Sequence, residues 1–388
     1  MERKRDRGDT RSEKKVKKFR LYKLITITVL VLFLLGGLLL FENEITMENL
    51  RYMVKYLDFS SSGAFSEESV IYYNADPQND FQVFRGDLAL VNPSGVTLFD
   101  RRGSAVMTDS FSMAKPTAVC GDKYLAIYDL GGHQVRVYNS FSLLFEKYFD
   151  YSVQSVSINS DGSFCVVTSQ KNYRSAVFVY DRDFKQTYQW LSADKLATGA
   201  YLSDHDELSI ATVQVVNGEM FSELIELKIG EKKSLSSLKF NGVIPLVHQT
   251  NDRRSVLVTD ESMLIIKKGK VTSTQNFAEG SVLKVALGER KFALLQDDLS
   301  VGVNYKLRIF DLDGKEKRSH TFKETIRDIE VYNDSVFVLT HTELYVFSDG
   351  EKVKQISLDE DYSEVGAFSE DCVILCGETQ AHIRMLDK

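Results

Sequence analysis

A three-residue signature returns along the chain at spacings close to forty, and it restricts the fold more than any other feature. An aliphatic residue, an aromatic residue and then Asp, Asn or Ser close a strand before a turn in Leu98-Phe99-Asp100, Val137-Tyr138-Asn139, Val179-Tyr180-Asp181, Ile309-Phe310-Asp311 and Val346-Phe347-Ser348. The aromatic residues lie 39, 42, 130 and 37 positions apart. The gap of 130 holds degenerate copies at Ile225-Glu226-Leu227 and Leu264-Ile265-Ile266, and Arg384-Met385-Leu386 supplies a last one. Eight units of about forty residues match the period of four-stranded propeller blades. The expected fold class is therefore all-β, a β-propeller of about eight blades. Seven blades are the alternative count, and a sandwich or two smaller β domains the rival architecture.

Four strands are readable inside a unit, for example 153–158, 163–169, 175–180 and 184–190, joined by turns such as Asn159-Ser160-Asp161-Gly162 and Asp313-Gly314. The eighth unit runs out of chain after three strands, near Val365, Val373 and Ile383. Residues 69–73 (SVIYY) precede the first complete unit and can supply the missing strand. Closing the ring with strands from both ends removes an exposed sheet edge.

Ahead of the repeats, residues 24–41 (LITITVLVLFLLGGLLLF) carry no charge. As a helix they reach about 27 Å, close to the hydrocarbon thickness of a bilayer. No small-x-small cleavage site follows Gly37, which favours an uncleaved signal anchor over a signal peptide. Eleven of the 48 Lys and Arg residues and four of the 55 Asp and Glu residues fall within positions 1–23, leaving 37 basic against 51 acidic residues beyond. The basic tail at 1–23 is expected in the cytoplasm, with the bulk of the chain outside a cytoplasmic membrane crossed once. Leu50, Met53, Val54 and Leu57 have helical spacing. Residues 42–68 are thus expected to form a juxtamembrane amphipathic helix and linker before a propeller at 69–388.

The acidic balance of that domain excludes nucleic acid, whose affinity comes mainly from Lys and Arg on phosphates. Cys120, Cys165, Cys372 and Cys376 show no zinc-like spacing and read as small buried side chains.

This layout resembles domain of unknown function 5711, a family of membrane-anchored proteins from Gram-positive bacteria. The resemblance rests on the basic tail, the span and blades such as VYDRDFKQTYQW and IFDLDGKEKRSHTF, which are of the quinoprotein-like and WD40-like kind. It implies a propeller and a membrane location, and it brings no activity, cofactor or site residue with it.

Motifs for chemistry are sparse. Trp190 is the single tryptophan, whereas quinoprotein dehydrogenases stack a girdle of them around their cofactor. The six histidines show no HxH, HxxxH or HExxH spacing, and there is no P-loop, GxGxxG after a strand or GxSxG. Asp311-x-Asp313-Gly314 lacks the later Glu of a calcium loop and reads as a hairpin turn. No catalytic, metal or cofactor-binding residue is expected, and no cofactor.

What remains is a binding surface. Loops between the second and third strands of each blade share one face, and the longer ones span 170–174, 216–219 and 297–300. Tyr173, Arg174, Asp297 and Asp298 are the candidate binding residues, Tyr173 with Arg174 first because aromatic and Arg side chains are enriched at hot spots. The expected function is a noncatalytic, membrane-anchored platform for an envelope protein or glycan. The alternative is an enzyme acting on cell-envelope glycan or polymer from the central channel. Three or more carboxylates or histidines converging there favour the enzyme, and an apolar or aromatic patch on an outer face favours the platform.

Overall fold

The computed structural model describes residues 28–29, 68–203, 206–231, 234–240, 246–250, 254–278, 280–297, 304–348 and 353–386. The basic tail, the juxtamembrane helix and nearly all of the 24–41 span lie outside the described residues; Thr28 and Val29 are helical. Among the described residues no helix is long and apolar enough to cross a membrane.

From Glu68 to Met385 the described elements are strands, arranged as eight separate four-stranded antiparallel sheets. Each is a blade: an inner strand, a second, a third and an outer strand joined in sequence. The inner strands of blades 1 to 8 are Asp80–Phe84, Pro116–Cys120, Ser155–Ile158, Leu196–Leu202, Leu246–Thr250, Val282–Leu287, Ile326–Tyr332 and Glu364–Ser369. In blade 8 the outer strand is Glu68–Tyr72, paired antiparallel with Gln380–Met385. The chain's first and last strands thus close the ring, one residue earlier than the 69–73 segment expected from sequence.

The recurring signature has a direct structural cause. It ends every third strand, and its Asp or Asn caps the turn to the outer strand. Asp100 Oδ1 accepts from Arg102 N and Ser104 N, both at 2.9 Å, and Asp311 Oδ1 accepts from Asp313 N at 3.0 Å and Lys315 N at 2.9 Å. Asp311 is therefore a turn cap. Tyr138, Tyr180, Phe310 and Phe347 are buried to 2% exposure or less and fill the seams between blades.

Second strands lie between two neighbouring blades, so both faces are covered and the sequence runs apolar without alternation. Phe164-Cys165-Val166-Val167 and Ser335–Thr340 show this, all buried. Their side chains divide between seams: Phe164 and Val166 join the core toward blade 2, Cys165 and Val167 the core toward blade 4. At the closing seam, Ile71 packs with Leu88 of blade 1 and Ile374 and Ile383 of blade 8. All four cysteines are free, three of them buried.

Polar stitches reinforce the inner ring. Asp80 Oδ2 accepts from Ala118 N of blade 2 at 3.0 Å, and Ser157 Oγ donates to Ala200 O of blade 4 at 2.6 Å. Asp328 of blade 7 accepts from Val365 N of blade 8 at 2.9 Å and pairs with Lys284 of blade 6.

Candidate functional site

In an antiparallel four-strand blade, the hairpin between second and third strands and the link from the outer strand to the next blade fall at one end. That end of all eight blades forms one face of the ring, here termed the hairpin face. Among the described residues, exposed large apolar side chains are distributed unevenly between the two faces. Tyr72, Tyr148, Tyr151, Tyr173, Leu196, Val215, Val216, Met220 and Leu283 are exposed at the hairpin face, against Val106, Leu235, Val271 and Met385 at the opposite one. Seven of those nine, Tyr148 through Met220, sit on the consecutive blades 2, 3 and 4.

Blade 4 carries the most pronounced feature. Its second and third strands, Glu207–Val216 and Glu219–Lys228, are ten residues each. The inner strand begins at Leu196, opposite Val213, and the outer strand ends at Phe240, opposite Ser222. The pairs Gln214↔Phe221, Val215↔Met220 and Val216↔Glu219 therefore project past both flanking strands. Three rungs make a finger about 10 Å tall. Asn217 at φ 55° and Gly218 at φ 88° close it in the doubly left-handed turn that suits the twist of a two-residue hairpin. Val215, Val216 and Met220 on it are 60%, 45% and 55% exposed.

A buried ion pair anchors the finger's base. Glu223, 3% exposed, accepts from Lys195 Nζ at 2.5 Å and from Ser237 Oγ. Burial pushes its carboxyl up, but Lys195 and Ser237 outweigh that and hold it below the ordinary range.

Of the sequence-derived candidates, Tyr173, Arg174 and Asp297 fall on this face, and Asp297 does not meet the other two. Tyr173 and Arg174 are the first residues of the third strand of blade 3, Tyr173–Tyr180, rather than loop residues; the turn itself is Lys171-Asn172, with Asn172 at φ 69°. Both are exposed. Asp297 ends the second strand of blade 6, three blades away, and its N–H is committed to Ser281 O at 2.8 Å. Asp298 lies outside the described residues. Sequence reasoning missed Tyr148, Tyr151 and the finger. The Asn-Gly turn between Val215-Val216 and Glu219-Met220-Phe221 was the available signal for the latter.

The central channel is chemically distinct. A cavity of about 660 Å³ is lined by blades 1, 2, 6, 7 and 8, among them the inner-strand residues Lys284, Asp328, Glu330 and Glu364. Asp328 is consumed by Lys284 and by Ile329 N and Val365 N at 2.7 and 2.9 Å. The carboxyls of Glu330 and Glu364 make no hydrogen bond among the described residues. Burial, and then the Asp328 charge, pushes Glu330 up to about 7; burial, Asp328 and Asp80 do the same to Glu364, while Lys284 opposes both. Among the described residues no group of three or more His, Cys, Asp or Glu is arranged to hold a metal ion.

The sequence profile of the family of unknown function DUF5711 matches residues 62–354, most of the ring. The chain belongs to that family. No curated protein matches it in sequence. Among solved structures, the WD40 domain of SCAP from fission yeast superposes with a TM-score of 0.56 at 10% identity, over 83% of this chain and 99% of that one. BamB from Moraxella catarrhalis gives 0.50 at 9%, over 83% and 97%. At such identities the likeness is one of fold. For this DUF5711 ring the two chemically notable regions are thus an apolar, finger-bearing face and a channel holding two carboxyls that burial pushes up to about 7.

Proposed function

We propose that the propeller is a protein-interaction platform, held at the outer surface of a cytoplasmic membrane by the 24–41 span, and that the partner docks on the hairpin face of blades 2 to 4. The carrying observation is the run of exposed Tyr, Leu, Val and Met side chains on three adjacent blades. Apolar groups left in water on one face of a soluble ring mark an interaction surface. Among the described residues no strand pairs with either edge of the finger, which suits an extended partner segment.

Replacing Val215, Val216 and Met220 together by Ser tests the docking reading. The triple variant should melt with the wild type, since these side chains contact solvent, and should lose its partner on purification of the full chain. Unchanged partner recovery would refute it. Protease added to wall-stripped cells should degrade the ring and spare residues 1–23; a protected ring would refute the placement.

Glu330 and Glu364 favour a second reading, general acid catalysis on envelope glycan in the channel, because a carboxyl poised near neutrality can deliver a proton. Release of sugar fragments from wall glycan by the purified chain, abolished in Glu330→Gln or Glu364→Gln, would establish that reading over the platform.

A further inference from the structure

At the seam of blades 8 and 1 the ring holds a groove of about 400 Å³, at the small end of the range for ligand pockets. The sequence explains why this seam is open. Two positions before the aromatic residue that ends the third strand, blades 2, 3, 6 and 7 carry Arg136, Phe178, Arg308 and Tyr345. These long side chains fill the seam with the preceding blade. Arg136 pairs with Asp109 of blade 1 at 2.9 Å, Arg308 donates to Gln275 of blade 5 at 2.7 Å, and Phe178 and Tyr345 join the cores of their seams. Blade 1 has Thr97 at that position, opposite Thr108 on the outer strand, and Gly95 two residues earlier. Short residues on both strands leave the space.

The groove is preformed. On the blade 8 side, Tyr73 N donates to Thr379 O at 3.0 Å, and the Tyr73 hydroxyl lies 2.8 Å from the carbonyl oxygens of Gly377 and Gln380. Asn79 Nδ2 donates to Asn74 O at 3.1 Å and holds the link to blade 1. The blade 1 side is an antiparallel ladder, with Gly95 opposite Ser110 as well as Thr97 opposite Thr108.

The lining selects by chemistry. The side chains of Asn74, Thr97, Thr108 and Ser110 border the groove and make no hydrogen bond among the described residues. Tyr72, 72% exposed, adds aromatic surface with Tyr73 and Phe99. No Lys, Arg or His is in the described lining, so an anion finds no counter-charge. Its one charged residue, Asp109, accepts from Arg136 and Tyr138 at 2.9 and 3.0 Å, so a cation finds no free carboxylate. A purely apolar group would cover four polar side chains and leave them unpaired, at a cost. A neutral protein side chain brings one hydroxyl or amide against those four. An uncharged ring with several hydroxyls and apolar C–H faces meets every condition, since each hydroxyl both donates and accepts.

We propose that this groove binds a neutral sugar ring, its hydroxyls paired with Asn74, Thr97, Thr108 and Ser110. The site is separate from the docking surface on blades 2 to 4 and from the channel carboxyls, and it stands whichever of those readings holds.

The probes are the methyl glycosides of glucose, galactose, mannose and N-acetylglucosamine, followed by saturation-transfer NMR on the full chain in a phosphocholine detergent, with glycerol as a hydroxylated control that has no ring. At least one glycoside should show transfer to its ring protons while glycerol shows none. Its affinity should fall about tenfold or more in the double variant Thr97→Val, Thr108→Val, which removes two hydroxyls and keeps β-branched side chains. Thr97→Arg, which installs the residue that fills the seam in blades 2 and 6, should abolish the signal. The Val pair should melt with the wild type, so it decides the matter even where the Arg variant fails to fold. No transfer to any of the four glycosides, equal affinity in the Val pair, an undiminished signal in folded Thr97→Arg, or tighter binding of glucuronate or glucosamine than of the neutral glucoside would each overturn the assignment.

Discussion

Replacing Glu330 or Glu364 by Gln should stabilise the ring at pH 8 and do nothing at pH 4. Each carboxyl moves from an ordinary value of 4.5 to about 7 on folding. Between those values the folded chain holds protons the unfolded chain has released, so stability falls as pH rises through that window and levels off above it. A rise of about 2.5 pK units corresponds to about 3 kcal/mol per group, as a ceiling. The gains should not add, because both carboxyls face Asp328 and share the relief offered by Lys284. Trp190 packs against the core between blades 3 and 4 and reports unfolding by fluorescence. Urea titrations of wild type and the two variants at pH 4, 5, 6, 7 and 8 should show a stability difference that opens between pH 5 and 7. A difference constant across that range, or a wild type that gains on the variants as pH rises, would refute the reasoning.

Other perturbations address closure and the finger's anchor. Ile71→Ala empties a fully buried position where the first strand meets blades 1 and 8, and should cost about 2–5 kcal/mol in thermal or urea melts; a loss under 1 kcal/mol would mean that the first strand is not needed to close the ring. Lys195→Met strands the Glu223 carboxylate in a buried site and should cost about 3–5 kcal/mol, with most of it recovered when Glu223→Met is added. No recovery in the double variant would show that the pair is not the source.

Blade number was readable because the third strand must bury an aromatic residue in a seam and cap a turn in the same three positions, as Tyr180 and Asp181 do. Blades 4 and 5 keep only the apolar half of that requirement at Leu227 and Ile266, so their copies are faint while the spacing persists. The closing strand was readable from the shortfall in blade 8. The face was harder. Val216 and Glu219 looked like loop because strand length past an Asn-Gly turn depends on whether neighbouring strands stop short, which the finger's own sequence does not record. Glu330 and Glu364 lie 34 positions apart in sequence, and the packing of the inner strands of neighbouring blades 7 and 8 puts both beside Asp328. Charged residues on inner strands were the signal that could have found them.

Photocrosslinking tests the docking face most directly. A photoreactive residue is placed in the full chain, one position per variant, at Val216 and Tyr173 on the hairpin face and at Val106 and Met385 on the opposite face, all four exposed. Irradiation in cells should give a discrete protein adduct from Val216 and Tyr173 and none from Val106 and Met385. Adducts of equal yield from both faces, or from Val106 and Met385 alone, would contradict the assignment of blades 2 to 4 as the docking surface.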